Sequence, residues 1–290
     1  MKTLREYIKD AEERKVAIGH FNISNLEGLW AIFNSARALN LPVIIGVSEG
    51  EREYIGVPQV AALIKSLREE FDYPIFLNAD HTYSFEGVKA AIDAGFDAAI
   101  IDGAKLPLEE NIALTKSCVD YARASGRDVL IEAELGYIGS GSTVLKEIPA
   151  GAAITIEQCP TGEAAKAFIN ATGIDLLSPA VGNIHGMLVS GHNPPLFTER
   201  AKEIHDVAGI PLVLHGGSGT EDADFVKVIQ SGMSIVHINT EIRVAYRDAL
   251  KKQIAEHPDE VSPYKITKPT IAAMEEVITR RLKLFNMMSV

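Results

Sequence analysis

Cysteine is nearly absent from this chain. There are two in 290 residues, Cys118 and Cys159, far apart and in no metal-like spacing. That excludes a disulfide scaffold and a thiolate zinc module and suits a reducing, cytoplasmic setting, with both thiols read as small hydrophobes. Positive charge is the minority sign. Lys and Arg number 28 against 39 Asp and Glu, a formal net charge of −11. Such a balance argues against a nucleic-acid or anionic-membrane surface, so any phosphate must be bound by local devices. No apolar run approaches the roughly 20 residues of a membrane span. The opening MKTLREYIKDAEERK has no apolar stretch and does not read as a secretory signal. No Pro/Gly/Ser linker or charge block divides the chain, which predicts one domain over 1–290.

What is present is ordinary globular material, 47% apolar and 23% charged, arranged in a regular alternation. Eight short β-forming runs occur: VAIGHFN (16–22), PVIIGVS (42–48), PIFLNADH (74–81), AAIIDG (98–103), VLIEAELG (129–136), LLSPAVGNIHG (176–186), PLVLHGG (211–217) and IVHINTE (235–241). They are continuously apolar rather than alternating, as in strands covered on both faces. Segments between them, such as LEGLWAIFNSARAL, VPQVAALIKSLREEF and SFEGVKAAIDAG, have helical period, the last behind the N-cap Ser84. The pattern predicts an α/β fold, a (β/α)8 TIM barrel with an N-terminal capping helix and a helical tail, TIAAMEEVITRRLKLFNMM, packed on the barrel or a second subunit. A doubly wound open sheet is the alternative.

Barrel chemistry sits at the carboxyl ends of the strands. The runs end at Asn22, Ser48, Asp80–His81, Asp102, Glu132 and Glu134, His185–Gly186, His215–Gly216 and His237/Asn239. Each alone could cap the next helix; together, on one face, they point to a site. Three imidazoles, His81, His185 and His215, converging from separate strands suit a catalytic Zn²⁺ better than hard, oxygen-seeking cations. A lone strand-end histidine is more often structural, and His20 and His237 are competitors. His192, His205 and His257 read as solvated. Asp80 can hydrogen-bond a metal-ligating residue from behind or act as a general acid/base. Glu132 and Glu134 share one face of a strand and, if inward, need a cation or hydrogen-bond donors; a structural salt bridge is the other reading for Glu132.

In PLVLHGGSGT (211–220) a buried strand ends on His215 and runs into Gly216, Gly217, Ser218 and Gly219. Glycines let backbone N–H groups approach a phosphate, and a helix from about Thr220 adds its positive N-terminus. The stretch is neither a Walker A loop nor a dinucleotide fingerprint. A plain tight turn is the bland alternative.

These motifs, from FNISNLEGLWAIFNSARALNLPVIIGVSEG through NADH, IDGAKLPLEENI, EAELGYIG, VGNIHG and LHGGSG to NTEIRVAYRDAL, resemble the class II, metal-dependent ketose-bisphosphate aldolases over nearly the whole chain. The resemblance implies a zinc enzyme, dimeric or tetrameric, that reversibly cleaves a phosphosugar such as fructose 1,6-bisphosphate through a zinc-stabilised enediolate. It implies His81, His185 and His215 as zinc ligands and Asp80 as proton donor and acceptor. Asp102 and Glu134 match positions for a second or displaced divalent metal; a monovalent cation is a further candidate. Gly186, Gly216, Gly217 and Ser218 match donors to dihydroxyacetone phosphate, Ser48 a contact to the glyceraldehyde 3-phosphate half, and His237, Ile238, Asn239 and Thr240 a phosphate- and enediolate-binding segment. Ile235 and His237 stand where the family has lysine and asparagine, and Val189 where many members have lysine. After ELGYIG the acidic loop is replaced by SGSTVLKEIP, with Glu147 the nearest acid. Tagatose 1,6-bisphosphate or another phosphoketose, or a non-catalytic phosphosugar-binding subunit, are the alternatives. A metal-dependent hydrolase barrel would want His-x-His on the first strand, where this chain has His20-Phe21-Asn22.

Overall fold

The computed structural model describes residues 2–289. Met1 and Val290, the ends of the expected 1–290 domain, lie outside the described residues. In chain order the strands are β1 (Ile18–Asn22), β2 (Val43–Val47), β3 (Ile75–Thr82), β4 (Ala98–Ile101) and β5 (Leu130–Leu135), then β6 (Val144–Leu145), β7 (Leu176–Pro179), β8 (Met187–Leu188), β9 (Leu212–Leu214) and β10 (Met233–Ile238). Eight of them close into a parallel barrel in the order β1-β2-β3-β4-β5-β7-β9-β10, and β10 pairs back onto β1. Closure makes the fold a TIM barrel and removes the open-sheet alternative. The short strands β6 and β8 pair with each other outside the barrel, a ribbon the sequence pattern did not predict.

The interior is layered by the two-residue period of a strand. Each barrel strand gives one apolar residue to the floor: Ile18, Ile44, Phe76, Ala98, Leu130, Leu176, Val213 and Ile235. The helix Leu4–Arg14, started by a Thr3/Glu6 capping box, buries Leu4, Ile8 and Ala11 against this floor and plugs the amino end. Two residues further along the strands the layer turns polar: His20, Asn78, Glu132, Ser178, His215 and His237 are all buried. One step higher stand Asn22, Ser48, Asp80, Asp102, Glu134 and Asn239, around the mouth. The intervening residues, Phe21, Ile45, Leu77, Ala99, Ile131 and Val236 among them, face the helices in the larger core.

Leu26–Leu39, Val57–Phe71 and Phe85–Ala94 are helices as the periodicity predicts, the last capped by Ser84, whose side chain accepts the Gly87 N–H. The C-terminal helix Pro269–Phe285 packs on this chain's own barrel, against Leu26–Leu39 and Thr240–Glu256. Several boundaries differ; the 98–103 and 211–217 runs, for instance, are strand only to Ile101 and Leu214. The 176–186 run is strand only to Pro179, because Asn183 Oδ1 takes the Val181 N–H and turns the chain. The helix expected from Thr220 starts at Asp222. In IVHINTE the strand stops at Ile238, and Thr240 opens a helix. Both cysteines are free and buried. His192 and His257 are exposed as expected, but His205 is half-buried with Nε2 3.3 Å from Glu12 Oε1. Among the described residues no helix is long and apolar enough to cross a membrane.

Candidate active site

Neighbours in a strand point to opposite faces, yet Asp80 and His81 both reach the mouth. The register of β3 against β4 shifts between Ala79 and Thr82, and His81 takes a left-handed backbone, φ 41°. That conformation costs a non-glycine residue of order 1 kcal/mol or more, and it turns the ring inward.

The structure brings His81, His185, His215 and Glu134 together, with one donor atom of each lying within 4.8 Å of the others. Each ring commits one nitrogen elsewhere. His81 Nδ1 is 3.1 Å from Asp102 Oδ2, His185 Nδ1 is 3.0 Å from the Gly139 carbonyl, and His215 Nε2 is 2.7 Å from Glu132 Oε1. These partners set the tautomers and leave His81 Nε2, His185 Nε2 and His215 Nδ1 facing one another. Glu134 Oε1 is buried, lies 2.9 Å from His215 Nδ1, and has no hydrogen-bond partner among the described residues. Three convergent imidazole nitrogens, of which His81 Nε2 and His215 Nδ1 lie 3.2 Å apart, beside a buried carboxylate oxygen fit a divalent cation of zinc type. Glu132 is thus inward and paired with a histidine.

Electrostatics follow from this crowding. Burial pushes His185 down to about 3, reinforced by His81 and His215. Burial also disfavours charge on His81, but Asp80, Glu134 and Asp102 outweigh it and hold that imidazole up to about 9. Against the same penalty, Glu132 and Glu134 keep His215 well above the ordinary value. Burial would raise Asp80, but His81, His237 and His20 hold it well below the usual carboxylate range, so it is ionised. Burial and Asp102 push Glu134 up. Asp80 Oδ2 accepts from Asn22 Nδ2 at 2.8 Å, while Oδ1, 3.5 Å from His237 Nδ1, has no well-formed bond.

His20 and His237 do not join the cluster of three. Their rings stack at 3.4 Å with 5° between planes, and His237 stacks in turn on His215 at 4.0 Å. In-plane lone pairs on parallel rings cannot both aim at one ion, so His20, Asp80 and His237 make a poor cation site. Ile235 lies in the apolar floor two residues below His237.

Two adjoining cavities meet at Asp80, His81 and His185. The inner one is lined by Gly186, Gly216, Gly217, Ser218, His237, Asn239 and Thr240, and the outer one, about 230 Å³, by Ser48 and Asp102 among others. Gly216 has φ 63°, and a Cβ there would lie 2.3 Å from the Ile184 carbonyl oxygen, so only glycine fits. Two details correct the expected donor set. The Gly217 N–H is already given to the His237 carbonyl, and Ile238 buries its side chain in the core behind the strand. Glu147 is exposed and does not line the cavities, and Val189 is 70% exposed.

Three residues around the site had no sequence signal. Asn193 sits in irregular chain, yet its side chain donates to the Gly186 and Ser218 carbonyls at 2.9 and 2.7 Å and accepts the Leu188 N–H, joining two loops of the inner cavity. Glu51 and Arg243 pair at 2.6 Å beside the outer cavity. Both lie in helices, where their charge reads as ordinary solvated surface.

A closed parallel barrel whose carboxyl mouth gathers three histidines, acidic partners and a glycine-lined recess is the architecture of a metal-dependent barrel enzyme. The sequence matches the family described as "Fructose-bisphosphate aldolase class-II" over residues 2–289. It is 36% identical to the fructose-bisphosphate aldolase of Geobacillus stearothermophilus over 293 residues, 98% of this chain and 96% of that one. It is 36% identical to a probable fructose-bisphosphate aldolase of Bacillus subtilis, covering 98% and 97%. The crystal structure of the YdjI aldolase from Escherichia coli K12 superposes with a TM-score of 0.81 at 29% identity, over 97% and 96% of the chains. The chain belongs to the class II fructose-bisphosphate aldolase family. It is therefore an aldolase, a carbon–carbon lyase of a metal-dependent family that acts on phosphosugars.

Proposed function

We propose that the protein reversibly cleaves fructose 1,6-bisphosphate to dihydroxyacetone phosphate and glyceraldehyde 3-phosphate, with Zn²⁺ held by His81, His185 and His215. One observation carries this reading: three imidazoles each turn one nitrogen toward one point beside an ionised, buried Asp80. Glu134, and Asp102 through His81, complete the metal surroundings and are the places for a second or displaced ion. A bound cation supplies Lewis-acid stabilisation of the negative charge left on the three-carbon half. Asp80 Oδ1, with Oδ2 anchored by Asn22, takes the C4 hydroxyl proton as the C3–C4 bond breaks and returns it in condensation. Gly186, Gly216, Ser218, Asn239 and Thr240 surround the recess that takes the phosphate of the three-carbon half; Gly217 and Ile238 shape it through the backbone. Ser48 faces the aldehyde half in the outer cavity. His237 stands beside Asp80 and donates to the reacting oxygens in place of an amide.

Tagatose 1,6-bisphosphate is the second reading. It differs from fructose 1,6-bisphosphate at C4, the carbon whose hydroxyl Asp80 would deprotonate, and His237 Nδ1 is 3.5 Å from that carboxylate. We further propose a single domain, a homodimer or homotetramer, and a cytoplasmic setting consistent with two free cysteines.

The test is a coupled assay of triose phosphate release from both sugars. Zinc-loaded protein, EDTA-stripped protein and Asp80→Ala are compared. Activity should require both metal and Asp80, with the variant down by about 10²- to 10⁴-fold, and the kcat/KM ratio identifies the sugar. Tight zinc binding without release from either sugar overturns the reading in favour of a phosphosugar-binding subunit.

A further inference from the structure

The bend that brings Asp80 and His81 to one mouth needs something to hold it. His81 has φ 41°, and the register of β3 against β4 is broken between Ala79 and Thr82. A left-handed histidine persists only where its surroundings over-determine it. Much of that support comes from the short helix Glu49–Ile55 that follows β2.

Three residues of that helix reach the segment 80–83, directly or through Asn22. Glu49 Oε1 accepts the Tyr83 N–H at 3.0 Å. Glu51 Oε2 accepts Asn22 Nδ2 at 2.9 Å, and the same amide donates to Asp80 Oδ2 at 2.8 Å. Arg52 makes the closest tie. Its Nη1 donates to the Asp80 carbonyl at 3.0 Å and to the Val47 carbonyl, and its Nη2 donates to Thr82 Oγ1 at 2.9 Å. One rigid guanidinium thus grips the residues on either side of His81 and fastens both to the end of β2. Arg52 is 5% exposed, lines neither cavity, and gives none of these bonds to a carboxylate. Burying a cation among neutral acceptors is costly, and an apolar side chain would pack a helix on a barrel without that cost. What an apolar side chain lacks is the planar fork.

We propose that Arg52 is a positioning residue of the aldolase site, whose fork holds the reversal at Asp80, His81 and Thr82 so that one group sets both the base and a metal ligand. The proposal rests on the aldolase reading, in which Asp80 moves the proton and His81 faces the metal. Arg52 touches no substrate and acts only through Asp80 and Thr82.

The experiment compares wild type, Arg52→Met, Arg52→Lys, Thr82→Val and the Arg52→Met/Thr82→Val double variant. Cleavage of fructose and tagatose 1,6-bisphosphates is measured at saturating zinc, and zinc affinity by chelator competition. A small misplacement of a reacting group can cost about 10²-fold, so Arg52→Met should lower kcat by at least about 10-fold. KM should stay within about 2-fold, because the walls that bind the sugar are untouched. Zinc affinity should fall by about 10-fold as His81 loses its fixed place. Arg52→Lys keeps the charge without the fork and should resemble Arg52→Met. Thr82→Val should move kcat and zinc affinity in the same sense by less, and the double variant should be no worse than Arg52→Met, as for one connected unit. Wild-type kcat and zinc affinity in Arg52→Met overturn the proposal even if its Tm falls, and leave Arg52 a fastening of the helix. A change confined to KM overturns it too. If Arg52→Met does not fold, Arg52→Lys and Thr82→Val decide: wild-type values in both overturn it. A wild type that neither binds zinc nor releases triose phosphate means that the aldolase reading has failed instead. Hydrogen exchange over residues 78–83 then decides on the clamp, and exchange in Arg52→Lys as slow as in wild type overturns it.

Discussion

Glu132 shows how one buried carboxylate can prepare a metal ligand. It is 1% exposed, and its Oε1 takes the Nε2 proton of His215, so the opposite nitrogen faces the cluster. Such outer partners typically contribute 10- to 100-fold in metal affinity. Glu132→Gln keeps the shape and removes the charge, and zinc affinity measured by chelator competition should fall by about 10-fold. An unchanged affinity would mean that the charge of Glu132 does not tune His215. Much at this scale was legible. Asp80, His81, Glu134 and His215 stand at strand ends where apolar runs give way to polar residues, His185 lies in the loop beyond β7, and the structure gathers all five. Asn193, Glu51 and Arg243 were not legible, because their partners are backbone groups or charges distant in sequence. Nor was the positive φ of His81, which resolves how two neighbouring residues share one face.

At the scale of elements, period and capping chemistry carried the reading. Helices with a clear apolar stripe and a good N-cap were placed to within a residue or two, whereas segments ended by side-chain-to-backbone bonds, such as Val181 to Asn183, were not. The β6–β8 ribbon was invisible because two residues carry no period. Tertiary ties between elements are equally silent in sequence. Arg281, on the C-terminal helix, is 3% exposed and binds Glu241 at 2.6 and 2.9 Å and Asp222 at 2.6 Å, joining the first turns of two other helices. Glu241 Oε1 also accepts the Gly219 N–H, so this knot steadies the loop beyond the glycine recess. Arg281→Met should cost about 3 kcal/mol, since it strips the largely buried Glu241 of both guanidinium bonds and leaves it only the Gly219 N–H and Arg280 at 3.9 Å. Adding Glu241→Gln should recover part of that loss. Denaturant midpoints of the two variants check both statements.

At the scale of the whole molecule, the barrel is apolar at its floor, sealed by the first helix, and ionic at its mouth. The mouth gathers carboxylates and imidazoles whose charges compensate one another until a cation arrives, which couples metal, protons and stability. Without metal, His81 titrates at about 9 against roughly 6.5 in an unfolded chain. A raised folded value contributes stability that is fully present below pH 6.5 and is lost as pH rises through 9. His215 is shifted the same way. Metal binding works in the opposite sense: it requires neutral imidazoles, so it must displace these protons and strengthens as pH rises. Free zinc at about 1,000 times its dissociation constant adds about 4 kcal/mol of stability. For a chain of this size that raises Tm by roughly 10 °C. The Tm difference between zinc-loaded and EDTA-stripped protein should therefore widen from pH 6 to pH 9, since stripped protein loses stability over the range in which loaded protein gains it. Scanning calorimetry at the two pH values measures the gap. A gap that narrows or stays constant would remove His81 and His215 from the ligand set and leave the cluster a structural ion network.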